Sequence, residues 1–143
     1  MTLMRVMAVD YGTRRVGVAV SDVEGRFARP VTTLDARDPG RLLDALARLA
    51  VELEPTEAVV GDPRRLDGSA GTLSAAIRDF CGTLGSRLGI PVHPWNESLT
   101  SVEAQAKLLE AGVSRRRRRE AVDEAAAAVL LQAYLDSRPR RPA

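Results

Sequence analysis

The sequence predicts an α/β domain on a five-stranded mixed sheet, with three antiparallel strands at one side, two parallel crossovers and flanking helices. Three observations carry that reading. Between Leu3 and Leu34, three strand-like segments follow one another through short turns, which makes an antiparallel meander. Two later apolar segments, Glu57–Gly61 and Ile90–Trp95, are each followed by a helical pattern, and a strand feeding a helix implies a parallel crossover. The chain has 143 residues, 45% hydrophobic and 28% charged, which is the size and composition of one globular domain.

The elements follow in order. Leu3–Val9, Arg15–Ser21 and Phe27–Leu34 are the first three strands, the last rich in residues that suit a sheet. Leu42, Leu46, Leu49 and Leu53 recur at helical spacing from Pro39 to Glu54, a stripe that covers one sheet face until Pro55 stops it. Glu57–Gly61 is a short buried strand. The polar stretch from Asp62 to Gly71 is a long Gly/Pro-rich loop, and loops of that length after a strand are functional or mobile. Thr72–Leu88 is a second helix that Gly82 and Gly85 weaken, and Ile90–Trp95 a fifth strand whose Pro91 and Pro94 suit an edge. Ser101–Ala111, closed by Gly112, and Glu120–Asp136 are the last helices. One domain over residues 1–136 and a disordered basic tail over 137–143 are expected.

Composition excludes several chemistries. A single cysteine, Cys81, allows no internal disulfide, and a single histidine, His93, leaves no Cys/His set for zinc. Most Ser-His-Asp and Cys-His schemes fall with it. No stretch approaches the roughly 20 apolar residues of a membrane helix, and the start lacks a signal-peptide pattern. A cytoplasmic protein without membrane attachment is expected. Carboxylate chemistry is left.

Three carboxylates stand at predicted element ends. In Met7-Ala8-Val9-Asp10-Tyr11-Gly12, an apolar strand ends in Asp10 and turns through glycine, a way to aim one carboxylate at a ligand from a rigid sheet. Taken alone, the segment fits a plain hairpin turn slightly better. Glu97 follows the fifth strand as Asp10 follows the first, although an acid ahead of a helix also suits the helix dipole. Asp123 lies in the first turn of the last predicted helix, where four alanines, Ala125–Ala128, would let the helix approach the sheet closely. Ligands gather beyond the carboxyl ends of parallel strands in such sheets. Three acids facing one rim are a less ordinary coincidence than any one of them.

The element order is that of the ribonuclease H-like fold, and the motifs resemble the YqgF family, also called RuvX-like or Holliday-junction-resolvase-like proteins. Its pattern Asp-x-Gly-x-(Lys/Arg)-Arg-(Ile/Val)-Gly-x-Ala-x-Ser-Asp is met from Asp10 to Asp22. Its Gly-x-Pro-x-x-x-Asp-Gly loop is met by Gly61–Gly68, its Glu-x-Leu-Thr by Glu97–Thr100 and its Val-Asp-x-x-Ala-Ala by Val122–Ala127. The chain departs from the pattern at Asn96 and Ser98, where Asp and Arg are usual, and at Asp62, where an apolar residue is usual. The resemblance implies a nuclease of branched DNA or of structured RNA such as the precursor of small-subunit ribosomal RNA. It places the family's three acids on Asp10, Glu97 and Asp123, and it suggests a homodimer.

Crowded carboxylates repel unless a cation or proton compensates. Oxygen ligands select hard cations, Mg²⁺ or Mn²⁺. Two such ions about 3.5 to 4 Å apart activate a water and stabilise the leaving oxygen of a phosphodiester, so Asp10 is expected to be shared by both ions, with Glu97 and Asp123 each completing a site. Net charge is only +2, but Arg115, Arg116, Arg117, Arg118 and Arg119 are consecutive and are expected to precede the last helix on the rim of Asp123, as a phosphate-binding surface. Arg14 and Arg15 in the first turn and Arg64 and Arg65 in the long loop are weaker candidates, and one of each pair has an equally good structural reading. Two alternatives stay open. A non-catalytic nucleic-acid module would tolerate loss of any of the acids, and a phosphotransferase of the sugar-kinase and actin group would need a second domain for which this chain has no length.

Overall fold

Strand register explains the architecture. In the computed structural model of the protein, residues 4–12, 14–61, 75–95 and 115–138 are described, with the side chains of the last helix described from residue 122. The elements are β1 (Val6–Asp10), β2 (Arg15–Ser21), β3 (Ala28–Asp35), α1 (Pro39–Leu53), β4 (Glu57–Gly61), α2 (Ala75–Leu88), β5 (Val92–Pro94) and α3 (Arg115–Ser137). The five strands form one sheet in the order β3-β2-β1-β4-β5. β1–β2 and β2–β3 pair antiparallel, and β1–β4 and β4–β5 pair parallel. The mixed sheet expected from the sequence is present, and β5 lies at an edge, as expected from Pro94 within it and Pro91 just before it.

β1 is central, and every residue in it is buried. A strand covered on both faces reads as an unbroken apolar run, and its side chains divide by parity. Met7 and Val9 join Val16, Val18, Val20, Ala58 and Val60 against the stripe of α1 and the Ile77, Cys81 and Leu84 face of α2. Val6 and Ala8 join Ala19 and Val59 against Ala127, Leu130, Leu131 and Leu135 of α3. Asp10 has the parity of the α3 face. Ser21 is buried at the far end of β2, where the Val6 N–H donates to its Oγ at 2.8 Å and the hydroxyl donates to the Asp22 carbonyl at 2.8 Å.

Helix ends follow local rules. The Asp38 carboxylate accepts from the Gly40 and Arg41 amides at 3.0 and 3.2 Å, Pro39 opens α1, and Glu54 closes it in the left-handed conformation at φ 52°. Burying Leu42, Leu46 and Leu53 stabilises this contact by about 1.5–3 kcal/mol per side chain.

The ends of β1, β3 and β5 shift by one to three residues from the sequence reading, and both boundaries of the last helix differ from it. α3 begins at Arg115, so the arginine run is helical rather than a loop ahead of the helix. Arginine is among the best helix formers, and that propensity outweighs the unfavourable placing of positive charge at a helix N-terminus. α3 also continues through Ser137, and Arg138 beyond it pairs with Glu57 at 2.7 Å. Glu57 accepts a further hydrogen bond from the Tyr134 hydroxyl at 3.0 Å and has His93 Nε2 3.3 Å away. These contacts tie the end of α3 to the start of β4. The predicted helix at 101–111 and the 62–71 loop lie outside the described residues.

Candidate nuclease site

Asp10 is the last residue of β1, and its neighbours in the sheet are both glycines: Gly17 on β2 and Gly61 on β4. It is 8% exposed. Each glycine admits a backbone carbonyl where a side chain would stand. A Cβ on Gly17 would fall 1.9 Å from the carbonyl oxygen of Asp123, and one on Gly61 would fall 2.8 Å from that of Trp95. α3 therefore crosses β2 with the Asp123 backbone seated on Gly17, beside Asp10. The small alanines of α3 allow that approach, with Ala126 and Ala127 buried against the sheet.

Asp123 reaches this rim by a different route from the one the sequence suggested. With α3 starting at Arg115, Asp123 lies just over two turns into the helix rather than in its first turn. Helix-dipole stabilisation, which fades within the first turn, does not explain an acid there. The packing of α3 across β2 does.

Arg15 completes the described site. Its Nε donates to Asp123 Oδ2 at 2.5 Å, with the two side chains 38% and 22% exposed. Of the arginine pair in the first turn, Arg15 is thus engaged with a candidate catalytic acid, while Arg14 is exposed and its carbonyl accepts from the Ala36 amide at 2.9 Å. The contact joins residues 108 apart, and no sequence periodicity signals it. On the outer side, a groove of about 540 Å³ is lined by Arg14, Arg15, Thr33, Leu34, Asp35 and Arg37. Arg37 binds both oxygens of Asp35, at 3.1 Å through Nε and 2.6 Å through a terminal nitrogen. Those bonds, with the Arg37 amide, hold the Asp35 carboxyl down at about 2, so Asp35 stays ionised at neutral pH. Sequence reading missed Thr33, Asp35 and Arg37, which stand beside Arg14 and Arg15 because β3 pairs with β2.

Glu97, Arg64 and Arg65 lie outside the described residues, as do the side chains of Arg115, Arg116, Arg117, Arg118 and Arg119. Trp95, two residues before Glu97, donates its amide to the Val60 carbonyl at 2.8 Å, which brings the chain onto the Gly61 side of Asp10. Among the described residues no cluster of three or more His, Cys, Asp or Glu side chains is present. What is present is oxygen chemistry of the kind a hard cation takes, a buried carboxylate on Asp10 and a second on Asp123, the latter paired with Arg15. Cys81 offers no nucleophile, because burial pushes its thiol up to about 11.

Comparison with known proteins agrees with this geometry. The family model described as RuvX, Holliday junction resolvase, matches residues 4–137. A Myxococcus xanthus protein named "Putative pre-16S rRNA nuclease" is 46% identical over 134 residues, covering 94% of this chain and 89% of the relative. A protein of the same name from Moorella thermoacetica is 45% identical over 133 residues, covering 93% and 95%. Among solved structures, Thermus thermophilus RuvC in complex with a Holliday junction substrate superposes with a TM-score of 0.51 at 17% identity, covering 93% of this chain and 94% of that one. The fowlpox virus Holliday junction resolvase superposes with a TM-score of 0.55 at 14% identity, covering 94% and 99%. These structures share the ribonuclease H-like fold with this chain. With a family match that spans the sheet, the glycine-flanked Asp10 and the helix bearing Asp123, the chain belongs to the RuvX family.

Proposed function

We propose that this protein is a divalent-metal-dependent nuclease that hydrolyses phosphodiester bonds in structured nucleic acid. The observation that carries the reading is the seating of Asp123 on Gly17 beside Asp10, at the carboxyl end of the parallel strands. Family membership supports a nuclease. The names of its relatives favour the precursor of small-subunit ribosomal RNA as substrate and a cytoplasmic setting, and the junction resolvases that share its fold support branched DNA. No helix among the described residues is long and apolar enough to cross a membrane.

Asp10, Glu97 and Asp123 would hold Mg²⁺ or Mn²⁺. Bound there, the ions would activate the attacking water and stabilise the leaving oxygen. Asp10, fixed on the central strand, sets the position of the reaction, and Asp123 is oriented by α3 and by Arg15. Without a cation, Arg15 offsets the charge of Asp123 and relieves repulsion at the rim. That same contact favours the second reading, a non-catalytic nucleic-acid-binding module in which Arg15 permanently neutralises Asp123. Symmetric cleavage of a junction would require a homodimer with two sites related by a two-fold axis.

Incubation of purified protein with labelled precursor ribosomal RNA and with four-way DNA, in Mn²⁺ and in EDTA, tests the proposal. Cleavage in Mn²⁺ that EDTA abolishes is the expected result. Binding without cleavage in either condition would leave the non-catalytic module.

Replacing Arg115 to Arg119 with serine tests the arginine run. Each phosphate contact contributes a slope of about −0.9 in log K against log salt on duplex DNA. Loss of two or three contacts is expected to flatten the measured slope by about 2 to 3 and to weaken all nucleic acids alike. An unchanged slope would reduce the run to a solvated helix turn.

A further inference from the structure

Register places the groove beside Asp10. Asp10 pairs with Gly17, and Gly17 with Thr33, so Thr33 lies on the same cross-strand row, two strands away. Arg15 and Asp35 form the next row of the same face, about 6.7 Å further along the strands. The groove therefore opens where β1 has ended, on the β3 side of the acidic rim. Arg15 belongs to both places: its Nε is on Asp123 and its side chain lines the groove. A guanidinium engaged through Nε still carries four N–H donors on its terminal nitrogens.

The remaining lining has the chemistry of a backbone track. Arg14 and Arg37 supply guanidinium groups, which suit phosphate geometry, and Thr33 supplies a hydroxyl. Leu34 is packed into the core below. Among the described residues no aromatic ring lines the groove, so these residues offer bases no stacking platform. Asp35 opposes phosphate and engages Arg37, which makes this pair a brake on binding rather than a neutral surface contact.

We propose that this groove binds the phosphodiester backbone of the substrate strand beside the scissile bond, with Arg14 and Arg37 as phosphate ligands and Arg15 as the positioning residue that links the strand to Asp123. The proposal rests on the nuclease reading above and adds the path of the substrate. It assigns opposite signs to the two members of the exposed pair: Arg37 promotes binding and Asp35 limits it.

The test measures binding of a labelled four-way DNA junction in EDTA, from 50 to 200 mM salt. For the Arg14→Ser/Arg37→Ser variant, the slope is expected to flatten by about 1.8, a loss of affinity across that range roughly 12-fold smaller than for the wild type. For Asp35→Asn, tighter binding across the whole salt range is expected, with the wild-type slope kept, because removing the opposing carboxylate adds no new phosphate contact. A pair that serves only structure would give weaker or unchanged binding on losing Asp35. Circular dichroism melts establish that both variants fold. A wild-type slope in Arg14→Ser/Arg37→Ser together with unchanged or weaker binding in Asp35→Asn, with the wild type still cleaving in Mn²⁺, would overturn the groove and leave the nuclease reading standing. A wild type that neither binds nor cleaves would overturn both.

Discussion

Asp10→Asn is expected to abolish metal-dependent cleavage while leaving the fold intact. The carboxylate ends the central strand, is 8% exposed and is flanked by two glycines, so no neighbouring side chain on its row can replace it. Loss of a residue that only orients a metal ligand costs roughly 10- to 100-fold; loss of a ligand that both ions share should exceed that range. Asparagine nearly matches the shape of aspartate and removes one of the repelling charges, so the metal-free variant should melt at or above the wild-type temperature. Asp123→Asn and Glu97→Gln are expected to lose activity similarly. Asp123→Asn differs in stability, because it also deprives Arg15 of its partner; the pair is partly exposed, so the cost is held to about 1 kcal/mol. Single-turnover cleavage and thermal melts on the same preparations check both parts. Wild-type rates in these variants would sink the assignment.

Gly17→Ala is expected to damage stability and activity together. A methyl group there would stand 1.9 Å from the Asp123 carbonyl oxygen and 2.3 Å from its carbonyl carbon, well inside van der Waals contact, and both are backbone atoms that cannot rotate away. α3 must lift from β2. Overpacking of this kind costs about 3 kcal/mol, a fall of roughly 10 °C in melting temperature for a chain of this length. The lift also moves Asp123 and Arg15, and a displacement of about 1 Å at a reacting centre can cost 10²-fold in rate. Gly82→Ala is the control. Its Cβ would meet nothing within 4 Å on the exposed face of α2, so it should stabilise the protein by about 0.5–1 kcal/mol. If Gly17→Ala melts like the wild type, α3 is not seated on β2 as described.

Local rules explain which features could be read without a structure. β2 and β4 run over Arg15–Ser21 and Glu57–Gly61, as their composition and bounding turns indicated, and α1 keeps the leucine stripe and the Pro55 stop. Their signals are short-range: alternation, helical period and turn residues within one element. Asp10 was equally legible, since an acid ending an apolar strand before glycine is visible within six residues. The start of α3 was not, because five arginines satisfy both a helix and a solvated loop.

What the sequence by itself determined is an inventory: the described elements, their order, a sheet of mixed direction and an acid, Asp10, at the end of its central strand. Only the tertiary structure decided which residues meet. Arg15 and Asp123 are 108 residues apart, and they touch because α3 crosses β2 at the one position, Gly17, where no side chain holds it off. Thr33, Asp35 and Arg37 join Arg14 and Arg15 in one groove because β3 pairs with β2 in a particular register. Glycine's role at position 17 is to be absent as a side chain, and what fills that space belongs to another element, so no pattern within the segment could specify it.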